Sequence, residues 1–340
     1  MPVLLPPRAS DWFLEFALAG ERAQATRLSL DLLDQGFPLP VLLTDLLGVV
    51  QREVGARWHR AELGVADEHL VTGVSEAALG ALAASAPHRK GKGMVVAACA
   101  EGDWHALPAQ LLAEALRAEG QGVIAIGASS PADDLARLIA RRRPDALLVT
   151  CNFALSYPGV ASVADAAHRH GVPVLAGGRA LSPARAITLG ADAWAADVIR
   201  AVSLLRSWRQ IPPEVDPGPV DLVAEGAALD ARAPELGRRA HATIAERFPS
   251  VLDDDQRQRA RTVEGLVDIV RFLAAARLVD DEAVFTEFVV WLEELLVARG
   301  VPAAALGAGL EVLAPLVRAI DERSGELAVT AAERVGRAAA

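Results

Sequence analysis

The chain has 340 residues, enough for two or three domains, and 52% of them are hydrophobic while only 4% are aromatic, so Ala, Leu and Val must fill the cores. A formal charge of −10 argues against a broad nucleic-acid surface, and two cysteines, Cys99 and Cys151, exclude a disulfide scaffold and suit a reducing cytoplasm. The most apolar stretch, 38–50, is broken by Asp45, so no membrane span is expected. The N-terminus lacks the basic region and apolar core of a secretory signal. Lys90 and Lys92, the only lysines, share one segment, which leaves no buried lysine for Schiff-base chemistry.

Residues 1–10 form a tail whose prolines, Pro2, Pro6 and Pro7, discourage a helix. The pattern over 11–86 is helical: Asp11 caps a helix bearing Trp12, Phe13, Phe16 and Leu18, and further helices cover 22–35, 39–57 and 67–84. Short connections between four helices predict an up-down bundle. Pro87 to Gly93 is a basic hinge. Between 93 and 210, apolar runs at 94–99, 123–126, 146–150, 172–176 and 193–194 alternate with helices near 108–119, 131–141, 158–170, 182–189 and 197–208. Continuous apolar strands between helices predict a parallel sheet covered on both faces, in flavodoxin-like (Rossmann-like) order, with a ligand over the carboxyl ends of the strands. Residues 211–222 are a proline-containing linker. Residues 223–340 are an all-α domain, with stripes such as Val263, Leu266, Val270 and Leu273, then Val284, Phe285, Phe288 and Val289, then Leu306, Leu310, Leu313 and Val317. The fold class is α and α/β multidomain.

The first strand runs into Asp103-Trp104-His105. A histidine at the carboxyl edge of such a sheet is well placed to meet a cofactor, and a neighbouring carboxylate can fix its tautomer by taking one ring N–H. A solvated loop histidine is the plain alternative. The segment Asp103 to Pro108 resembles the Asp-x-His-x-x-Gly signature of cobalamin-binding domains, with Pro108 where the signature has Gly. Thr150-Cys151-Asn152 stands in place of that family's Ser-x-Leu, with Asn152 for Leu, and Gly177-Gly178 follows the fourth strand. The resemblance implies His105 as lower axial ligand of cobalt with Asp103 behind it. It also implies that Trp104, Thr150, Asn152, Gly177 and Gly178 contact the corrinoid and its inserted tail.

In the helical bundle, Trp58 is followed after nine residues by Glu68-His69. This spacing resembles the signature of light-dependent adenosylcobalamin repressors of the carotenoid-control type, in which a four-helix bundle caps the corrin. The resemblance spans roughly residues 11–210. It implies that Trp58 shields the cobalt–carbon bond, that Glu68 accepts hydrogen bonds from the ribose with His69 beside it, and that His59 takes the upper cobalt position after photolysis. Core packing of Trp58, and a helix start capped by Asp67, are the competing readings.

No helix-turn-helix precedes the bundle, so direct nucleic-acid binding is not expected. The C-terminal helices, with Trp291 on the segment 285–299, resemble globin-like sensor domains, and the combination resembles photocobilins, photoreceptors that join cobalamin to a bilin. No cysteine lies beyond Cys151, so biliverdin or another bilin there would be noncovalent. His241, the only histidine of that domain, comes early for a haem ligand; Arg257, Arg261 and Arg271 suit bilin propionates and Asp268 the pyrrole nitrogens. A solvated charged face is the alternative for all of them. The expectation is a cytoplasmic light sensor, not an enzyme, whose adenosylcobalamin photolysis switches a homo-oligomer (a dimer in the simplest case) or a separate effector protein. The rivals are a corrinoid shuttle for methyl transfer and a C-terminal module that only docks.

Overall fold

The computed structural model describes residues 4–86, 93–247 and 256–338; the hinge expected at Pro87 to Gly93 lies almost wholly outside them. The chain forms two compact units, 1–220 and 221–340. The helical cap and the parallel sheet share the first.

Four helices build the cap: α1 (Ala9–Leu18), α2 (Arg22–Asp34), α3 and α4 (Val65–Ser85). Helix α3 begins at Leu39–Val41, widens to π geometry over Leu42–Leu47 and returns to α geometry over Gly48–His59. Such a bulge adds a residue to one turn and re-aims the side chains of the turns beyond it. Two sequence expectations about helix starts fail. Helix α1 starts at Ala9, after a left-handed Arg8, and Asp11 sits in its first turn, where a carboxylate favours the helix dipole without capping. Helix α4 starts after Gly64, whose N–H donates to Asp67 at 2.8 Å, so Asp67 is a third-position acceptor and not the cap. The bundle core is aliphatic around a fully buried Phe13, with Leu42, Leu43, Leu46, Leu47, Val71 and Leu82. Leu107 and Ala115, from the first helix after the sheet begins, join this core and seat the cap on the α/β layer.

The sheet has five parallel strands in the order β2-β1-β3-β4-β5: β1 (Met94–Cys99), β2 (Gly122–Gly127), β3 (Ala146–Thr150), β4 (Val174–Gly177) and β5 (Ala193–Trp194). It is the flavodoxin-like order the sequence predicts, with the reversal of winding at β1 and β3. Helices α5 (Ala106–Ala118), α6 (Ala132–Arg142), α7 (Tyr157–His168), α8 (Pro183–Thr188) and α9 (Val198–Gln210) complete the layer. Every residue of β3 is buried, as a central strand covered on both faces requires. The linker stays with this unit as far as Val220, whose N–H donates to Asp165 at 2.9 Å.

The second unit is all-α: α10 (Ala224–Arg247), α11 (Gln256–Leu278), α12 (Ala283–Ala298), α13 (Ala303–Arg318) and α14 (Glu322–Ala338). Helices α10 and α11 approach closely at two glycines: a Cβ at Gly226 would lie 2.6 Å from the Leu278 nitrogen, and one at Gly237 would meet Val267. Among the described residues no helix is long and apolar enough to cross a membrane.

Gly178, just after β4, has φ +109 and its backbone packs on that of Cys151, so a Cβ would collide with the Cys151 carbonyl. Gly178→Ala should cost about 3 kcal/mol or more, since both strain and overlap fall on backbone. Thermal denaturation of the variant checks this: a melting temperature equal to that of the unmutated protein would refute the packing argument.

Candidate functional site

The loop that leaves β1 is held from three directions. Gly102 (φ +86) donates its N–H to Ser129 Oγ at 3.0 Å, and Ser129 N–H donates to the Asp103 carbonyl at 3.0 Å. Glu101 accepts the N–H of Ala132, at the start of α6, at 3.1 Å. From the other side the start of α7 presses in at Gly159, where a Cβ would overlap the Glu101 carbonyl.

This frame buries the Asp103 side chain completely and surrounds its carboxylate with donors. Oδ1 accepts the His105 backbone N–H at 2.9 Å and lies 2.7 Å from His105 Nδ1; Oδ2 accepts the Asn152 backbone N–H at 2.7 Å and its side-chain amide at 3.1 Å. A carboxylate accepts, so in the neutral imidazole Nδ1 carries the proton and Nε2 keeps its lone pair. The imidazole also stacks on Phe153, with centroids 4.9 Å apart and planes at 16°. Half of the His105 side chain is exposed, which leaves the ring open to a ligand.

The charges agree with the geometry. Burial alone would raise the Asp103 pKa, but the hydrogen bonds from His105 and Asn152 outweigh it and hold the group below the usual carboxylate range. His105 is raised, first by its bond to Asp103, against partial desolvation, and further by the charges of Asp103 and Glu68. Glu68 belongs to the cap, so the two parts of this unit are coupled electrostatically through His105.

Glu68 is itself positioned. Thr72 Oγ1 lies 3.3 Å from Glu68 Oε1 and 3.2 Å from Gln51 Oε1, and Gln51 reaches on to buried Ser75 at 2.9 Å. This chain ties α3 to α4. His69 Nε2 lies 3.5 Å from Glu68 and is largely exposed. Trp58 and His59 are half-buried in the last turn of α3, not on the break after it. Trp104 is 76% exposed, between its clamped neighbours.

The remaining expected residues serve the frame. Thr150 Oγ1 donates to Cys99 Sγ, at 3.6 Å. A Cβ on Gly177 would stand 2.9 Å from the Ala195 carbonyl, and Gly178 rests on Cys151. These glycines therefore have an internal packing reason, beside the contact with a ligand tail that the motif implies. Burial disfavours both thiolates, pushing Cys99 up to about 11 and Cys151 higher still. Sequence reasoning missed Glu101, Ser129, Phe153 and Gly159; only Phe153, beside Asn152 at the carboxyl edge, carried a visible signal.

In the second unit, Arg257, Arg261 and Arg271 are exposed, and Arg271 lies 3.9 Å from Asp230. With half-buried Asp268 they fall within one arc of α11, opposite its buried Leu266, Ile269, Val270 and Leu273. Burial raises the Asp268 pKa. His241 differs: its Nε2 is buried with no hydrogen-bond partner among the described residues.

No group of three or more His, Cys, Asp or Glu suited to a metal occurs among the described residues. One oriented imidazole fits a metal that brings its other ligands with it, as cobalt does in a corrin. Two family models, each described as a B12 binding domain, match residues 93–203 and residues 11–83. Cap, sheet and loop together are thus a cobalamin-binding unit.

Within that class, the chain is 34% identical over 145 residues to the HTH-type transcriptional repressor CarH of Myxococcus xanthus, covering 41% of this chain. The match spans 47% of that relative, about half its length. The N-terminal unit therefore contains a cobalamin-binding region similar in sequence to CarH. The monomethylamine corrinoid protein of Methanosarcina barkeri shares the fold, at 21% identity and a TM-score of 0.52, over 59% of this chain and 98% of that one.

The Asp103–His105 pair has a signed pH dependence. The lowered Asp103 stabilises the fold above its unfolded value of about 4, and this is lost as pH falls through the folded value. The raised His105 contributes below its unfolded value of about 6.5, and this is lost as pH rises through the folded value. The stability gap between the ligand-free protein and H105Q should therefore peak at about pH 4 to 6.5 and narrow on both sides. Urea denaturation across pH measures it, and a gap that widened steadily above pH 7 would contradict the pairing.

Proposed function

We propose that the protein is a light sensor that binds adenosylcobalamin between His105 and the cap. The reading rests on one conjunction: an imidazole held at Nδ1 and half exposed at the carboxyl edge of the sheet, in one compact unit with a bundle carrying Trp58, His59, Glu68 and His69 in the spacing of CarH-like repressors. When bound, adenosylcobalamin supplies a cobalt–carbon bond that light can break. His105 would hold cobalt from below through Nε2, with Asp103 fixing its orientation. Trp58 would exclude water from the upper face. Glu68, braced by Thr72 and Gln51, would accept hydrogen bonds from the ribose. His59 would replace the adenosyl group afterwards. A cap whose contact with the upper face depends on that group can move when it leaves, and so change a subunit or effector interface.

The test is an absorption spectrum of the protein loaded with adenosylcobalamin, taken in the dark and after green light. Release of an adenosine product and a lasting spectral change are expected, and W58A should lose protection against photolysis. Methyl exchange with a partner methyltransferase, without photolysis of a retained adenosyl group, would favour the corrinoid shuttle instead.

For the second unit we infer a noncovalent bilin in a globin-like pocket. The observation in favour is the buried Nε2 of His241, without a hydrogen-bond partner among the described residues, which suits a pyrrole or carbonyl of a pigment. The exposed arginines of α11 lend less support than their number suggests. Reconstitution with biliverdin should give a red-shifted band that survives gel filtration but not denaturation, and H241A should weaken it. The absence of any band would leave this unit a docking module.

A further inference from the structure

We propose that Asn152, and not Thr150, is the positioning residue that locks Asp103 and so selects the His105 tautomer that presents Nε2. The proposal rests on the corrinoid reading only for what Nε2 is presented to; the selection itself is a property of the ligand-free chain.

Asp103 has two carboxylate oxygens and four donors, two on each. Both donors on Oδ2 come from Asn152. The backbone N–H would be supplied by any residue at that position, but the second bond, 3.1 Å from Nδ2, needs an amide side chain. Thr150 occupies the first position of the motif after β3, yet its hydroxyl faces Cys99 Sγ at 3.6 Å. The one side chain from the β3 edge that touches the carboxylate is therefore the one that stands where the motif has a leucine.

Torsion links the amide to the tautomer. A carboxylate held by two donors on each oxygen cannot rotate about its Cβ–Cγ bond without breaking several of them. While it is fixed, Oδ1 stays in line with Nδ1, and the proton is kept on Nδ1. With the amide gone, Oδ2 keeps a single donor, one of the four restraints on the carboxylate is lost, and the imidazole gains access to the Nε2–H form that neutral histidine favours in water. That form has no lone pair to offer outward. Stacking on Phe153 restrains the ring plane but says nothing about which nitrogen carries the proton.

The experiment uses the full chain, uniformly labelled with nitrogen-15 and free of ligand, at a pH well above the imidazole range. Two-bond proton–nitrogen spectra assign the His105 tautomer, with H105A identifying the signal. Unmutated protein should show the Nδ1–H form alone. Asn152→Leu and Asn152→Ala, which keep the backbone donor, should both shift His105 toward a mixture with Nε2–H. Thr150→Val should leave the spectrum unchanged. Retention of pure Nδ1–H in both Asn152 variants, or a shift caused by Thr150→Val instead, would overturn the proposal.

A second arm adds hydroxocobalamin in the dark. Loss of the amide should weaken binding by about 10- to 100-fold and reduce the histidine-ligated fraction of the absorption spectrum. Equal affinity and an equal spectrum in N152L would count against the proposal. If the unmutated chain takes up no hydroxocobalamin, the sensor reading fails while the nitrogen spectra still decide the role of Asn152.

Discussion

Much of this molecule is arranged around one buried carboxylate. Asp103 has no exposure of its own, and burying an ion is tolerable only if its oxygens are met by donors. Here the donors come from two strand ends and from the imidazole itself, so meeting the electrostatic demand also aims the ring. The latches to Ser129 and Ala132 and the bare backbone at Gly159 keep the loop where those donors can converge.

The alternation of apolar runs with helices made the sheet legible, because a strand buried on both faces must be apolar throughout. The four cap helices were legible for a similar reason: their stripes have to face one core. Helix starts were not. Asp11 and Asp67 are both residues that cap, but which one terminates a helix depends on the backbone before it, and a left-handed Arg8 or an extended Gly64 leaves no signature in periodicity. The site divided the same way. Asp103 and His105 were readable because their chemistry is local. Asn152 looked like a departure from a motif, and its bond to Asp103 spans 49 positions of chain, which no local pattern encodes. Gly178 was visible as a glycine, but its contact with Cys151 was not.

In the second unit, charge and packing divide the surface of α11 between them. Arginines on α11 are numerous enough to suggest an anionic ligand, yet their phase relative to the buried stripe puts them on the outer face. His241 drew attention only as the sole histidine of its region; its buried nitrogen, without a hydrogen-bond partner among the described residues, is the stronger clue and required coordinates to see. The two glycines between α10 and α11 bring those helices into backbone contact, a constraint that any pocket in this unit must respect.

Trp104 has a different freedom from either neighbour in the chain. Its backbone is pinned between Asp103 and His105 while its indole stands 76% in solvent, so its size and polarity can change without disturbing the atoms that aim the imidazole. Lineages could thus drift at this one position, trading a bulky rim for a small or charged one, and leave the hydrogen bonds of the imidazole in place. The aim of the imidazole and the character of the rim beside it are thereby placed on adjacent residues that can evolve separately.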